Sequence, residues 1–229
     1  MRNWFFILLL AVSIIPSPGY SLAQTAPPPM VKEKGCDTCH QFSPDESNAP
    51  GKAPRLFFAG NKFQSAWLRE YLKHPVVIRQ AGYITDPGFL LGKPTVAQPH
   101  PALSGEEAEV MANYLLSLKI PTPAAVGMDK KPLSKGERAR AKIIFERNYG
   151  CTSCHKAIDL ARKPRGGVSG PSLVDAGNRL QADWVYRWLR NPKQFLPKGR
   201  MPVFGFEGRE EDLRLITQYL MTLKKENLK

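Results

Sequence analysis

Cysteine is scarce in this chain of 229 residues, with only four. All four fall in two pentapeptides, Cys36-Asp37-Thr38-Cys39-His40 and Cys151-Thr152-Ser153-Cys154-His155, so no spare thiol remains. Histidine is equally rare, and only His74 and His100 lie outside those motifs. Acidic residues are few, 20 against 33 Lys and Arg. No alternating apolar and polar run is long enough to predict a strand. No βαβ pattern accompanies the cysteine pairs, which argues against a thioredoxin-like site. The main apolar run, Trp4 to Ile15, falls short of the ~20 residues a membrane span needs.

What the chain does have is CxxCH, twice. The spacing puts two thiols on one turn, where they can add across the two vinyl groups of a haem. The histidine that follows lies under the iron as an axial ligand. The reading is two covalent haems, bound through Cys36, Cys39 and His40 and through Cys151, Cys154 and His155. A four-thiolate zinc site is the weaker alternative, since Cys39 and Cys151 are far apart and zinc needs no histidine after each pair. Two disulfides in an oxidising compartment are the other.

The N-terminus predicts export. Arg2, the apolar run, Pro16 and Pro18, then Ser21-Leu22-Ala23 make a charged start, an apolar core and a small-x-small cleavage site. Residues 1–23 are read as a signal peptide, with an uncleaved anchor as the alternative.

The remainder repeats itself. Trp67 to Pro75 matches Trp184 to Pro192, Val110 to Lys119 matches Leu215 to Lys224, and Ala53-Pro54-Arg55-Leu56 matches Gly170-Pro171-Ser172-Leu173. Each repeat runs CxxCH, Pro-x-Leu turn, Trp helix ending at proline, loop, terminal helix. The expected division is one domain over 24–120, a linker over 121–133 marked by Pro121-Thr122-Pro123, and a second domain over 134–229. Ser134 with Glu137 predicts a capped helix running toward Asn148. Leu213, Ile216, Leu220 and Leu223 predict the apolar face of the last helix. The fold class is all-α.

Each half resembles a class I cytochrome c domain, and the two together resemble the dihaem cytochromes c. The resemblance implies two tandem domains, two haems c with iron, and haem attachment outside the cytoplasmic membrane, hence a periplasmic protein. It also implies a proline carbonyl holding each proximal imidazole, Pro54 for His40 and Pro171 for His155. A methionine from a late loop completes the iron in that family, and Met201 of Met201-Pro202 is the candidate for the second haem. The alternative for Met201 is packing alone.

The first half departs from this pattern. His100-Pro101 stands where Met201-Pro202 stands in the second, so the first haem is expected to be bis-histidine, held by His40 and His100. His74 is the rival, but its counterpart is Asn191. Only Gln24 to Gly35 precede Cys36, with Pro27, Pro28 and Pro29 among them, so a long first helix is missing. The loop from Pro75 to His100 is long and carries Val76, Val77, Ile78, Tyr83, Phe89, Leu90 and Leu91. It is expected to wrap the first haem, or else to cover the second domain or another subunit.

Charge is unevenly shared. Residues 24–122 carry 10 basic and 9 acidic side chains, and residues 123–229 carry 22 and 11. Arg187, Arg190, Lys193, Lys198 and Arg200 flank the methionine segment. They suggest an acidic redox protein or oxidase docking on the second domain, with a separate electron donor at the first. Export argues against nucleic acid. Membrane contact would come only through a partner complex or an uncleaved N-terminus.

The function read from this is one-electron transfer from the first haem to the second. A dihaem oxidoreductase with a displaceable ligand at the first haem is an alternative, so the chain's standing as an enzyme stays open. A fixed subunit of a larger respiratory complex is another alternative. Mass spectrometry of the exported protein is expected to show two covalent haems on a chain starting at Gln24. Replacing Cys36 and Cys39 should leave the second haem alone.

Overall fold

The computed structural model describes residues 26–44, 53–82, 86–89, 91–121 and 132–229. The segment read as a signal peptide and most of the linker lie outside the described residues. Helices in the first half are α1 (Met30–Glu33), α2 (Ala59–Lys62), α3 (Ser65–Lys73) and α4 (Gly105–Ser117). In the second they are α5 (Lys135–Ile143), α6 (Ala176–Arg179), α7 (Ala182–Arg190), α8 (Pro192–Phe195) and α9 (Glu210–Met221). Two three-residue strands, β1 (Lys156–Ile158) and β2 (Pro164–Gly166), pair antiparallel just after the second CxxCH. Strands this short leave no alternation for a sequence pattern to reveal.

The starts of α4 and α5 are capped by the same device. The Glu137 N–H donates to Ser134 Oγ at 3.2 Å, and the Ser134 N–H donates to the Glu137 carboxylate at 2.8 Å. Ser104 and Glu107 do the same for α4, at 3.3 and 3.0 Å. These reciprocal bonds satisfy donors that every helix start leaves free. The helix from Ser134 ends as α at Ile143 and continues as one wide π turn over Ile144–Asn148. The first half offers only the four residues of α1 in its place, as its prolines predicted.

The α5 and α7 helices pack on α9, and α3 and α2 pack on α4. Leu213, Ile216, Leu220 and Leu223 of the last helix and its exit are all buried. A single apolar core runs through both halves, joining Leu68, Leu72 and Leu115 to Leu189, Leu213 and Tyr219. A second cluster of Phe57, Phe58, Trp184 and Phe195 bridges the halves, with Phe58 and Trp184 ring centres 4.6 Å apart. Aromatic pairs like these add about 0.5–1.5 kcal/mol each beyond their buried area.

The backbone joins the halves reciprocally. Ala59-Gly60-Asn61-Lys62-Phe63-Gln64 and Ala176-Gly177-Asn178-Arg179-Leu180-Gln181 are counterparts. Phe63 and Leu180 form an antiparallel bridge. The Gln64 N–H donates to Arg179 O, and the Gln181 N–H donates to Lys62 O, each at 2.9 Å. The side chains repeat the exchange: Gln64 Nε2 donates to Leu180 O at 3.1 Å and Gln181 Nε2 to Phe63 O at 2.8 Å.

The loop between Pro75 and His100 differs from the leading expectation. Its described middle lies on the second half, not around the first CxxCH. The Ala81 N–H donates to Val168 O at 3.3 Å, Ile78 O accepts from the Ser172 N–H at 2.7 Å, and Lys156 donates to Gln80 at 2.8 Å. Among its described apolar residues Ala81 is buried, Ile78 and Phe89 are half-buried, and Val76 and Leu91 are exposed. The reason for its path is backbone pairing, since residues 78–81 find donors and acceptors on the segment 168–172.

Gly60 and Gly177 permit the close approach of α2 to α4 and of α6 to α9. A Cβ on Gly60 would lie 2.1 Å from Leu116 O, and one on Gly177 would lie 2.1 Å from Met221 O. Gly60→Ala and Gly177→Ala are each expected to destabilise by about 1–3 kcal/mol in denaturant unfolding. Gly136→Ala, where a Cβ meets nothing within 4 Å, should shift stability by no more than about 1 kcal/mol.

Candidate functional site

Both pentapeptides fold alike. Gly35 and Gly150 take left-handed backbone, with φ of 64° and 59°, and a 3-10 turn follows each, Cys36–Thr38 and Cys151–Ser153. The His40 N–H donates to Cys36 O and the His155 N–H to Cys151 O, each at 3.0 Å. One tight loop therefore presents two thiols and an imidazole. Cys36, Cys39 and Cys151 are partly buried free thiols, and Cys154 is exposed. Burial raises the Cys36 thiol pKa and pushes that of Cys151 up to about 12, so both are neutral at neutral pH. Among the described residues no three of His, Cys, Asp and Glu gather into a metal-binding cluster, so the two pairs do not converge on one zinc-type site.

Each imidazole is oriented by its proline. His40 Nδ1 meets Pro54 O at 2.7 Å and His155 Nδ1 meets Pro171 O at 2.7 Å. A carbonyl only accepts, so Nδ1 carries the proton and Nε2 keeps its lone pair for a metal. Burial holds the His40 pKa down at about 4, against the opposing Pro54 bond, and lowers that of His155 as well. Both rings stay neutral, as ligation requires.

The His40 and His100 rings are brought together, their centres 5.9 Å apart. A metal bound by two imidazole nitrogens at about 2 Å each puts the ring centres roughly 6 Å apart, so the pair fits one iron between them. The Tyr71 ring also meets His100, tilted, with centres 5.9 Å apart. His74 is elsewhere, 74% exposed at the end of α3 and facing Glu70.

In the second half, Met201 is partly buried against the core, as are Cys151 and Phe204. Its sulfur accepts the Trp188 indole N–H at 2.9 Å. Arg200 packs on the Phe89 ring at 3.6 Å, and among the described residues its Nη2 is buried without a hydrogen-bond partner. The Asp86 carboxylate is near enough for the Arg200 charge to help hold its pKa down. Arg200 is therefore not one of the free surface charges the sequence suggested.

Two features escaped the sequence reading. The Trp188 contact with Met201 sits where the first half has Tyr71. Lys62 and Arg179 occupy one repeat position; Arg179 is buried and Lys62 half-buried. Burial and then the Arg179 charge depress Lys62 to about 7. Lys62 lies near His40 and Arg179 near His155, as their effects on those rings show. Among the described residues no carboxylate pairs with Lys62, whereas Arg179 reaches Asp175 at 3.4 Å. The shared Ala-Gly-Asn motif ahead of the two cations was the available signal.

Residues 136–220 match the family described as cytochrome c oxidase, cbb3-type, subunit III. The match spans the second CxxCH, Pro171 and Met201, and supports a cytochrome c domain with covalent haem c and iron. Over 106 residues the chain is 30% identical to cytochrome c oxidase subunit 2 of Bacillus sp. (strain PS3), covering 42% of this chain and 29% of that protein. The chain thus spans less than a third of the relative's length. No solved structure matches. Among the described residues, no helix is long and apolar enough to cross a membrane.

If His40 and His100 share one haem iron, His100→Ala turns that haem high-spin and opens it to carbon monoxide, while His74→Ala leaves it low-spin. Visible spectra of the ferric and carbonyl forms check this. If Met201 ligates the haem of the second half, Met201→His lowers its potential and removes the sulfur-to-iron charge-transfer band.

Proposed function

We propose that the chain is an exported dihaem c-type cytochrome that passes single electrons, entering at the first site and leaving at the second. A haem iron supplies the chemistry by cycling between ferric and ferrous states. Cys36, Cys39, Cys151 and Cys154 would hold the two groups, with His40 and His100 on one iron and His155 and Met201 on the other. The observation that carries the reading is the repeated geometry: two CxxCH turns, each with its imidazole fixed by a proline carbonyl at 2.7 Å. The reciprocal junction of the halves supports a two-domain arrangement, 24–120 and 134–229 about a linker at 121–133.

Ligand type supports the direction, since methionine raises an iron's potential above that of a bis-histidine site. Filled sixth positions leave no place for substrate, which favours a carrier over an oxidoreductase. The oxidase-subunit names of the matched family and relative support a second reading, a fixed electron-transfer subunit of a respiratory complex. Co-purification with a membrane complex separates that from a free carrier. A redox titration followed by visible and near-infrared spectra tests the main proposal. Two low-spin components are expected, the higher one carrying the sulfur band. A single component, or a high-spin ferric signal, overturns it.

The excess of basic residues over 123–229 supports an acidic acceptor at the second site. Arg190, Lys193 and Lys198 are exposed there. Surface charges govern encounter rate and are screened over ~8 Å at physiological salt. Arg190→Glu with Lys198→Glu should slow oxidation by the native acceptor and flatten its salt dependence, without moving either potential much. Stopped-flow oxidation across a salt series reads this out.

A further inference from the structure

The loop between Pro75 and His100 belongs to the first half, yet it grips the turn that orients His155 in the second. That turn is Ser169-Gly170-Pro171-Ser172, and it is tight. A Cβ on Gly170 would lie 2.5 Å from His155 Cε1, so the backbone runs directly against the imidazole. The Gly170 N–H donates to Cys154 O at 2.7 Å, tying the turn to the CxxCH loop. Pro171 O then receives His155 Nδ1.

The first half holds this turn at both ends. Before the glycine, Arg79 donates to Ser169 O twice, from Nε at 2.9 Å and from Nη2 at 2.5 Å. After the proline, the Ser172 N–H donates to Ile78 O at 2.7 Å. Adjacent residues of one strap thus pin the two residues flanking Gly170-Pro171. Farther along, Phe89 lies under Arg200, the residue just before Met201. The segment between Pro192 and Met201 is far shorter, and no such strap on the Pro54 turn appears among the described contacts.

We propose that Arg79 is a positioning residue for the second site, clamping from the neighbouring half the turn whose carbonyl orients His155. This rests on the reading of His155 as an iron ligand. A firm bond to Nδ1 makes the imidazole a stronger donor, which favours the ferric iron and lowers the potential. Loosening the clamp therefore raises the second potential. Removing the nearby positive charge acts in the opposite sense. Arg79 is close enough to Cys154 and His155 for that charge to count.

Arg79→Lys separates the two effects, because it keeps the charge but loses the paired donation. In the two-haem protein, Arg79→Lys is expected to raise the second potential and leave the first unmoved. Solvent exchange of the His155 Nδ1 proton, followed by NMR, should become about tenfold faster, as for loss of one hydrogen bond. Arg79→Ala should speed exchange equally while its potential shifts lower than that of the lysine variant. Should the alanine variant fail to fold, the lysine variant carries the test. An unchanged potential and exchange rate in Arg79→Lys overturns the clamp, even if Arg79→Ala shifts the potential, for then only charge acts. Equal shifts at both haems overturn it too, as general loosening. Absence of a second low-spin haem in the unaltered protein would instead remove the reading of His155 on which the clamp stands.

Discussion

The antiparallel junction of Lys62-Phe63-Gln64 with Arg179-Leu180-Gln181 is the constraint from which the rest of the molecule follows. Backbone groups in the interior must be paired, and here each half pairs those of the other. The exchange is reciprocal, so the halves meet through the same surface rotated onto itself. That geometry sets Phe58 against Trp184 and lets one apolar core continue from α4 to α9. It also brings Lys62 and Arg179 near one another, although like charges repel.

The two sites share a plan but differ in what completes them. Each CxxCH turn is built from local contacts and would form on any chain carrying it. The proposed distal partners come from far along the sequence, His100 from the end of the long loop and Met201 from the turn before α9. Their placement depends on tertiary packing, with the Tyr71 ring against His100 and the Trp188 indole on Met201.

Much of this was legible in the sequence because it is local or periodic. The CxxCH motifs, the capping box at Ser134, the Trp helices and the apolar face Leu213, Ile216, Leu220 all rest on short spacings. His100 was legible only by aligning one half with the other, since nothing about a histidine before a proline marks it as special. What escaped is non-local. The destination of the loop after Pro75 depends on backbone pairing with residues 168–172, and no periodicity in the loop encodes it. Arg200 looked like a docking charge because sequence shows charge but not the Phe89 ring beneath it. The second capping box, Ser104 with Glu107, was there to be read and was overlooked.

The hydrogen bonds from Arg79 to Ser169 and from Gln64 to Leu180 close spans of 90 and 116 residues. Closing such spans is slow, because chain entropy opposes it until many contacts arrive together. Contacts as local as those of the helices and CxxCH turns are expected to form before the junction and the strap. A chain made from its N-terminus exposes its first cysteine pair while the partner half is still missing. The order in which the chain emerges therefore becomes an order in which its two sites are shut.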